Sequence, residues 1–196
     1  STISNNTADD GGGLYLHAGY YDSTNATAQS TRATISGNRA EDGDGGGLYI
    51  AHIDTIIRDS LISDNYTSQD GGGVYVTGHG VATELILVNS TISGNEANSN
   101  GGGIFSDSFD EALIVDLTNV TIVDNSSVLP GGGIAVFSYY GNAQVHLSRS
   151  IVSGNQSDAA GDTIFNDLGY GDIYADADNI FSDDFHASAD AFYGFT

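Results

Sequence analysis

The chain has 196 residues, of which 26 are acidic, four are arginines and none is lysine or cysteine, and its formal net charge is −22. This charge argues against binding to nucleic acids and anionic membranes, because phosphate binding requires clustered cations. The lack of cysteine excludes disulfides and thiolate metal sites. No apolar run approaches the roughly 20 residues that span a bilayer, so we expect no membrane insertion.

Two short motifs recur along the chain with a spacing close to 30 residues. One is an aliphatic-x-x-Asn motif, and its asparagines are Asn6, Asn38, Asn65, Asn95, Asn125 and Asn155. The other is a glycine triplet at 11–13, 45–47, 71–73, 101–103 and 131–133, with a degenerate copy at Gly161. Self-similarity at a fixed period of 20–50 residues indicates a solenoid, a propeller or an array.

Each repeat contains three runs that are typical of short β-strands. In chain order these are the Ser-Thr-Ile-Ser stretch before the asparagine, the run after the triplet, such as Leu14-Tyr15-Leu16, and an alternating run such as Leu85 to Leu87. No window shows the sustained apolar stripe of a helix. Three short strands in every repeat predict a parallel β-helix of about six coils, roughly 30 Å long.

The glycines and asparagines then have a structural explanation. Glycine reaches positive φ and lets stacked backbones approach each other at a corner. The asparagine amides can hydrogen-bond to the same residue in the next coil, so we predict a structural ladder of the six asparagines. A phosphate-binding loop would occur once, before a helix and with a lysine, whereas this chain has five triplets and no lysine.

The paired signature GGG[LIV]-[YF] and [IV]xxN resembles the repeats of chlamydial polymorphic outer-membrane proteins, which carry GGA[ILV] and FxxN. It is also similar to right-handed β-helix repeats of large secreted bacterial proteins. The resemblance covers residues 1–166 and implies a right-handed parallel β-helix of an extracellular or cell-surface bacterial protein. Proteins of this kind include surface adhesins and passenger domains, and Gly161-Asp162-Thr163-Ile164 resembles their altered last repeat.

Residues 167–196 break the period, and their aromatic and acidic composition predicts a capping segment over the last coil. The chain has neither a signal peptide nor a methionine, and Ser1 enters a repeat directly. We therefore expect a processed or excised segment of a larger precursor. The open β edge of the first coil would be continued by upstream chain or by a neighbouring subunit.

The residue at the second position after each triplet forms a predicted outward aromatic column. Its members are Tyr15, Tyr49, Tyr75 and Phe105, with Phe165 beyond a gap at Ala135. The column is either a stacking platform for sugar rings or a stabilising element of the sheet. The variable loops after this strand are the tolerant side of the coil. They add Tyr20, Tyr21, Phe109, Tyr139 and Tyr140 as candidate glycan or partner contacts, unless they are simply solvated loops.

Calcium is the one metal for which the sequence offers ligands, because the turns before the triplets carry acids that stacking could bring together. These acids are Asp9, Asp10, Asp42, Asp44 and Asp70. The five histidines lack zinc-like spacing. Gly78-His79-Gly80 resembles a motif of polygalacturonases, but their Asn-Thr-Asp and Arg-Ile-Lys motifs are absent, so we assign no catalytic residue.

The sequence therefore predicts an extracellular, non-catalytic, structural or adhesive rod, with filament or surface-layer subunits that stack end to end. The alternative is a glycan-binding module or a carbohydrate-active enzyme, namely a lyase or hydrolase of acidic polysaccharide. A carboxylate pair beside a basic residue in one groove would favour the alternative. Uniform ladders without a groove would favour the rod.

Overall fold

The computed structural model describes residues 1–19, 26–140, 142–159, 162–167 and 171–181, and the backbone of two short strands at 185–186 and 192–193. These residues form about six stacked parallel coils, which confirms the predicted β-solenoid. The described residues contain no helix, and so none that is long and apolar enough to cross a bilayer. Every strand pairing is parallel and joins one coil to the next.

Each of the first six coils contributes one strand to each of four sheets, and the last three described strands extend three of these sheets. Sheet A contains β1 (Thr2–Ser4), β5 (Thr34–Ser36), β9 (Leu61–Ser63), β13 (Thr91–Ser93), β17 (Thr121–Val123), β21 (Ile151–Ser153) and β25 (Ile180–Phe181). Sheet B contains β2 (Thr7–Ala8), β6 (Arg39–Ala40), β10 (Tyr66–Thr67), β14 (Glu96–Ala97), β18 (Ser126–Ser127) and β22 (Gln156–Ser157).

The two remaining sheets have longer strands. Sheet C contains β3 (Leu14–His17), β7 (Leu48–Ala51), β11 (Val74–Gly78), β15 (Ile104–Ser108), β19 (Ile134–Ser138), β23 (Ile164–Asn166) and β26 (Phe185–His186). Sheet D contains β4 (Thr27–Thr31), β8 (Asp54–Arg58), β12 (Thr83–Val88), β16 (Ala112–Thr118), β20 (Asn142–Ser148), β24 (Gly171–Ala175) and β27 (Phe192–Tyr193). The three predicted strands form sheets A, C and D, and the two-residue strands of sheet B lie directly after the asparagine motif.

The core is a set of aliphatic columns inside the coils. Ile62, Ile92 and Ile122 occupy the same register position of sheet A and are fully buried. Val74 and Ile104 do the same in sheet C. Ile3 and Leu14 in the first coil are only partly buried, because coils cover them on one side alone. Each fully buried aliphatic side chain stabilises the fold by about 1.5–3 kcal/mol.

The glycine triplet forms the corner between sheets B and C, and its members have different tasks. Gly101 has a φ of +65°, a conformation that side chains with a Cβ rarely adopt. At Gly102 a Cβ would meet the carbonyl groups of Ser126 and Gly132 in the next coil. The first glycine is therefore needed for its backbone conformation and the second for the close approach of two backbones. Neither role involves a ligand.

Candidate functional site

The asparagines form a ladder that is buried from Asn38 to Asn155, and Asn95 shows how the buried amides are engaged. The side-chain nitrogen of Asn95 donates to Oδ1 of Asn125 at 2.8 Å and to the carbonyl oxygen of Ile62 at 3.1 Å. Its Oδ1 accepts from the backbone and side-chain nitrogens of Asn65 at 3.1 and 2.9 Å. The same side-chain link joins successive asparagines from Asn6 to Asn155. The buried amides therefore bind each other and the backbone, and the ladder acts on stability.

A continuous row of stacked rings follows the outer face of sheet C; we call it the wall row. Its members are Tyr15, Tyr49, Tyr75, Phe105, Phe137 and Phe165, and successive ring centroids lie 4.6, 4.9, 5.6, 5.2 and 5.7 Å apart. Phe137 fills the gap that the sequence suggests at Ala135. It lies two residues further along the same strand, opposite Asp107 in the neighbouring coil.

Burial separates the first ring of the wall row from the rest. Tyr15 is 52% exposed, whereas Tyr75 and Phe105 are 8% and 5% exposed and pack with Ala135 in a small apolar cluster. The outward platform for sugar rings that the sequence suggests is therefore limited to the end of the row. Most of the row acts as a stabilising element of the sheet, which is the other interpretation of the pattern.

The acidic turn residues form a backbone-binding column instead of a shared ligand shell. Oδ1 of Asp10 accepts from the backbone nitrogen of Asp44 at 3.0 Å, and Oδ1 of Asp44 accepts from that of Asp70 at 3.0 Å. Asp70 in turn accepts from the backbone of Asn100 at 2.7 Å. Within the described ranges no three His, Asp or Glu side chains are placed to hold a metal ion. The structure thus does not bring Asp9, Asp10, Asp42, Asp44 and Asp70 together around one cation.

Burial shifts the pKa of Asp44 in this column and of groups in and beside the wall row. Burial raises the pKa of Asp44 to about 6, with smaller contributions from the Asp70 and Asp10 carboxylates, while the hydrogen bond from Asp70 opposes the shift. Burial also raises the pKa of Asp107, whose Oδ2 accepts the Tyr75 hydroxyl at 3.2 Å. Burial raises the pKa of Tyr49 to about 12. These tyrosines therefore stay neutral and serve as packing groups.

A second group of rings lies on the loops between sheets C and D in the third, fourth and fifth coils; we call it the rim patch. It consists of His79, Phe109, Tyr139 and Tyr140, and the ring of Phe109 lies 4.9, 5.9 and 5.7 Å from the other three. Phe109, Tyr139 and Tyr140 are 41%, 53% and 79% exposed. Tyr20 and Tyr21, which the sequence groups with them, lie outside the described residues.

Backbone hydrogen bonds hold the rim patch in place although its rings are exposed. The backbone nitrogens of Tyr139 and Tyr140 donate to the carbonyl oxygens of Ser108 and Phe109 at 3.0 and 2.8 Å. The backbone nitrogen of Gly80 donates to Oδ1 of Asp110 at 2.6 Å. A ring on a fixed backbone loses little conformational freedom on binding, which favours contact with a partner.

A groove of about 680 Å³ lies on the outer face of sheet D, where sequence reasoning placed no site. Its polar wall includes Asp116, His146 and Asp176, and Tyr174 and Ile86 contribute ring and aliphatic surface. Oδ1 of Asp116 lies 2.6 Å from Nδ1 of His146. No residue pattern marks this groove, because outward-facing positions of sheet D differ from coil to coil, as at Ile114, Gln144 and Asp172.

The comparison with known families rests on one of the repeats. Residues 89–107, which span β13, the ladder residue Asn95 and the triplet, match the family model of the Chlamydia polymorphic membrane protein repeat. The protein is a parallel β-solenoid, and this repeat of it is similar to the polymorphic membrane protein repeat. A repeat of the polymorphic membrane protein type indicates a bacterial surface protein. No curated protein and no solved structure matches the chain significantly.

Proposed function

We propose that this solenoid is a non-catalytic adhesive scaffold at a bacterial surface, which presents the rim patch to a partner outside the cell. The observation that carries the proposal is the exposure of the Phe109, Tyr139 and Tyr140 rings in a molecule whose other stacked rings are mostly covered. Clustered exposed aromatic rings are typical of binding surfaces, where they supply most of the contact energy. The coil stack contributes rigidity, because each coil packs on its neighbours.

The test compares two double variants in a binding assay with host cells or with other bacterial cells. Tyr139→Ser with Tyr140→Ser removes the most exposed rings, and we expect at least a tenfold loss of binding. The control is Val128→Ser with Leu129→Ser, because these side chains are 45% and 44% exposed but belong to a turn before a triplet. Equal binding by the rim variant and the wild type would refute the proposal, provided both variants melt like the wild type.

The non-catalytic part of the proposal has its own test. The protein is incubated with neutral polysaccharides and with polyuronates, and new reducing ends and unsaturated products are measured over a day. We expect none above the level of heat-denatured protein. Release of either product would instead support the alternative, a carbohydrate-active enzyme.

For the edge of the first coil the alternatives are upstream chain and a second copy of this chain, and we propose end-to-end association of copies as a second function. Its strands β1 to β4 pair on one side only, and Leu14 and Leu16 line a cavity of about 180 Å³ together with Leu48 and Ile57. Unpaired edges with apolar side chains beside them are templates for a further coil. Sedimentation at rising concentration should show filaments or larger species that Leu16→Asp abolishes. Monomers at every concentration would argue against the proposal.

A further inference from the structure

The loops that carry the rim patch combine exposed rings with negative charge. Asp110 and Glu111 directly follow Phe109 on the fourth coil, and both residues are exposed. The loops between sheets C and D in the third, fourth and fifth coils contain no lysine or arginine in their sequence. His79 is the one residue of these three loops that can carry positive charge. The patch therefore offers ring surface beside carboxylates.

The coil register places one of these carboxylates beside the most exposed ring. Ser108 and Ser138 are paired in sheet C, so Asp110 and Tyr140, two residues further on in each loop, stand at aligned positions of neighbouring coils. The backbone nitrogen of Tyr140 donates to the carbonyl oxygen of Phe109, which continues the parallel pairing to this position. Aligned positions of neighbouring strands are about 4.8 Å apart. A group that contacts the Tyr140 ring is therefore within reach of the Asp110 carboxylate.

The Asp110 side chain is held in place and can still accept hydrogen bonds. Its Oδ1 accepts from the backbone nitrogen of Gly80 at 2.6 Å, which ties the carboxylate to the third coil. The two oxygens of a carboxylate have about four acceptor sites, so further donors can bind. Tyr140 is 79% exposed, and its ring stands at 84° to that of Phe109. The ring and the carboxylate can thus be contacted by one partner group.

Sheet B contains an example of the contact that this combination favours. The guanidinium carbon of Arg39 lies 3.8 Å from the centroid of the Tyr66 ring. Arg39 and Tyr66 also stand at aligned positions of neighbouring coils, and Nε of Arg39 lies 3.5 Å from the Glu41 carboxylate. One guanidinium therefore contacts a ring and a carboxylate at the same time. At the rim patch the chain supplies the ring and the carboxylates, so the cation has to come from another molecule.

We propose that the rim patch binds an arginine-rich segment of a partner protein. One guanidinium stacks on Tyr140 and pairs with Asp110, and Glu111 pairs with a second one. Phe109 and Tyr139 contact the aliphatic stems of the bound side chains. Arginine is favoured over lysine, because its planar group stacks on rings and binds carboxylates through two parallel hydrogen bonds.

The charge of the whole chain supports a basic partner. A net charge of −22 attracts a cationic segment over a distance and disfavours an acidic one. The inference rests on the proposed adhesive function and names the partner class of the same surface. It adds one requirement that adhesion alone does not make, namely that the carboxylates of the rim contribute to binding.

The experiment measures binding of short fluorescent peptides to the 196-residue chain by anisotropy at physiological ionic strength. The peptides alternate glycine with arginine, lysine, citrulline or glutamate, and citrulline has the size of arginine without its charge. We expect saturable binding of the arginine peptide and binding of the lysine peptide that is about fivefold weaker. The citrulline and glutamate peptides should not bind.

Three variants test whether the arginine peptide occupies the rim patch. Asp110→Asn with Glu111→Gln should weaken binding about tenfold. Tyr140→Leu keeps an apolar side chain but removes the ring, and it should weaken binding about fivefold. The matched control is Asp9→Asn with Asp42→Asn, which removes the same charge from exposed turns at the opposite end of the sheet C strands. This control should bind within about twofold of the wild type.

Three results would overturn the proposal: the arginine peptide does not bind, the citrulline peptide binds as tightly, or the rim charge variant binds like its control. A glucose tetrasaccharide that binds to the patch when the arginine peptide does not would assign the surface to a glycan. Melting temperatures equal to that of the wild type exclude unfolding as the cause of a loss.

The cell-binding assay separates this proposal from the adhesive function on which it rests. If Tyr139→Ser with Tyr140→Ser loses adhesion and Asp110→Asn with Glu111→Gln retains it, the surface is adhesive and the basic partner is rejected. If the tyrosine variant adheres like the wild type, the adhesive function itself fails. We expect both variants to lose adhesion.

Discussion

The wall row and the rim patch are both runs of aromatic side chains over successive coils, and they lie only a few residues apart in the sequence. Phe105 belongs to the first and is 5% exposed, whereas Phe109 belongs to the second and is 41% exposed. The difference comes from the backbone beneath them. Wall rings stand on the strands of sheet C, all but Phe137 at one register position, so each ring packs against the next. Rim rings stand on loops that differ between coils.

This comparison shows that the role of an aromatic residue in a solenoid depends on whether neighbouring coils place rings beside it in register. Repetition in register turns a ring into a packing group, because its two faces are occupied by its neighbours at about 5 Å. A ring outside the register keeps an open face. Four measurements test this contrast, from the largest expected effect to the smallest.

The first measurement substitutes one phenylalanine of each kind by alanine. Phe105→Ala should lower the free energy of unfolding by about 3–4 kcal/mol, since it removes a buried ring and leaves a cavity. Phe109→Ala should lower it by less than about 1 kcal/mol, because much of its ring is already in water. Urea unfolding gives both values, and similar losses in the two variants would contradict the distinction.

The second measurement uses the carboxyl group that lies against the wall row. Asp44 has a folded pKa of about 6 against an ordinary value of 3.8, so between these values the folded chain binds more protons than the unfolded one. Its contribution therefore destabilises the fold above about pH 6 and fades as the pH falls. Asp44→Asn should raise the free energy of unfolding at pH 7 by about 1–3 kcal/mol and should have little effect at pH 4.

Asn100 occupies the equivalent turn and also binds the column, which makes asparagine a native replacement at position 44. Asp42→Asn is the matched control, because Asp42 is exposed and lies two residues away. Its stability should follow the wild type over the whole pH range. An unchanged pH dependence in Asp44→Asn would show that burial does not perturb this carboxyl group.

The third measurement turns to the inner face of the strand that carries Phe105. Ser106 is fully buried, its hydroxyl has no hydrogen-bond partner, and its neighbours in register are Val76 and Val136. Ser106→Val should raise the free energy of unfolding by about 1–2 kcal/mol, because a buried unsatisfied hydroxyl is replaced by methyl groups. Ser93→Val, where Val123 is the neighbour in register, should be near neutral. A destabilised Ser106→Val variant would mean that the column cannot take the added volume.

The fourth measurement removes one hydroxyl group from each aromatic run. Tyr75→Phe should lower the free energy of unfolding by about 1 kcal/mol, since the Tyr75 hydroxyl donates to Asp107 in a buried setting. Tyr139→Phe should leave stability unchanged, because its ring is 53% exposed. Thermal unfolding of the two variants under identical conditions decides the matter, and a larger shift in Tyr139→Phe would reverse the assignment.

The fold could be predicted from the sequence because a solenoid repeats its local interactions in every coil. The spacing of Asn65, Asn95 and Asn125 gives the number of residues in a coil. The five glycine triplets restrict the chain to a few repeat architectures. The inward columns followed from strand alternation alone, as at Ile92 and Ile104. The two-residue strands of sheet B were not predicted, because a run such as Glu96–Ala97 is too short for a pattern.

The candidate sites were harder to predict from the sequence, because they depend on the exposure of side chains and on contacts between coils. Tyr75 and Tyr139 were grouped as equivalent contacts, since no residue pattern states which of them is covered. Asp10, Asp44 and Asp70 are candidate calcium ligands by residue type alone, and only the structure shows that their oxygens bind the backbone of the next coil. Asp116 and His146 are 30 residues apart and form a pair only after stacking.

By itself, then, the sequence determined the parallel β-solenoid, its period, its inward columns and the residues at its corners. These properties come from local conformational preference and from repetition, and both can be read along the chain. The tertiary structure alone decided which rings are buried, that Phe137 completes the wall row, and that a carboxylate, an imidazole and a tyrosine line one groove. Those facts depend on coil register and on burial, which arise only when residues distant in the chain are brought side by side.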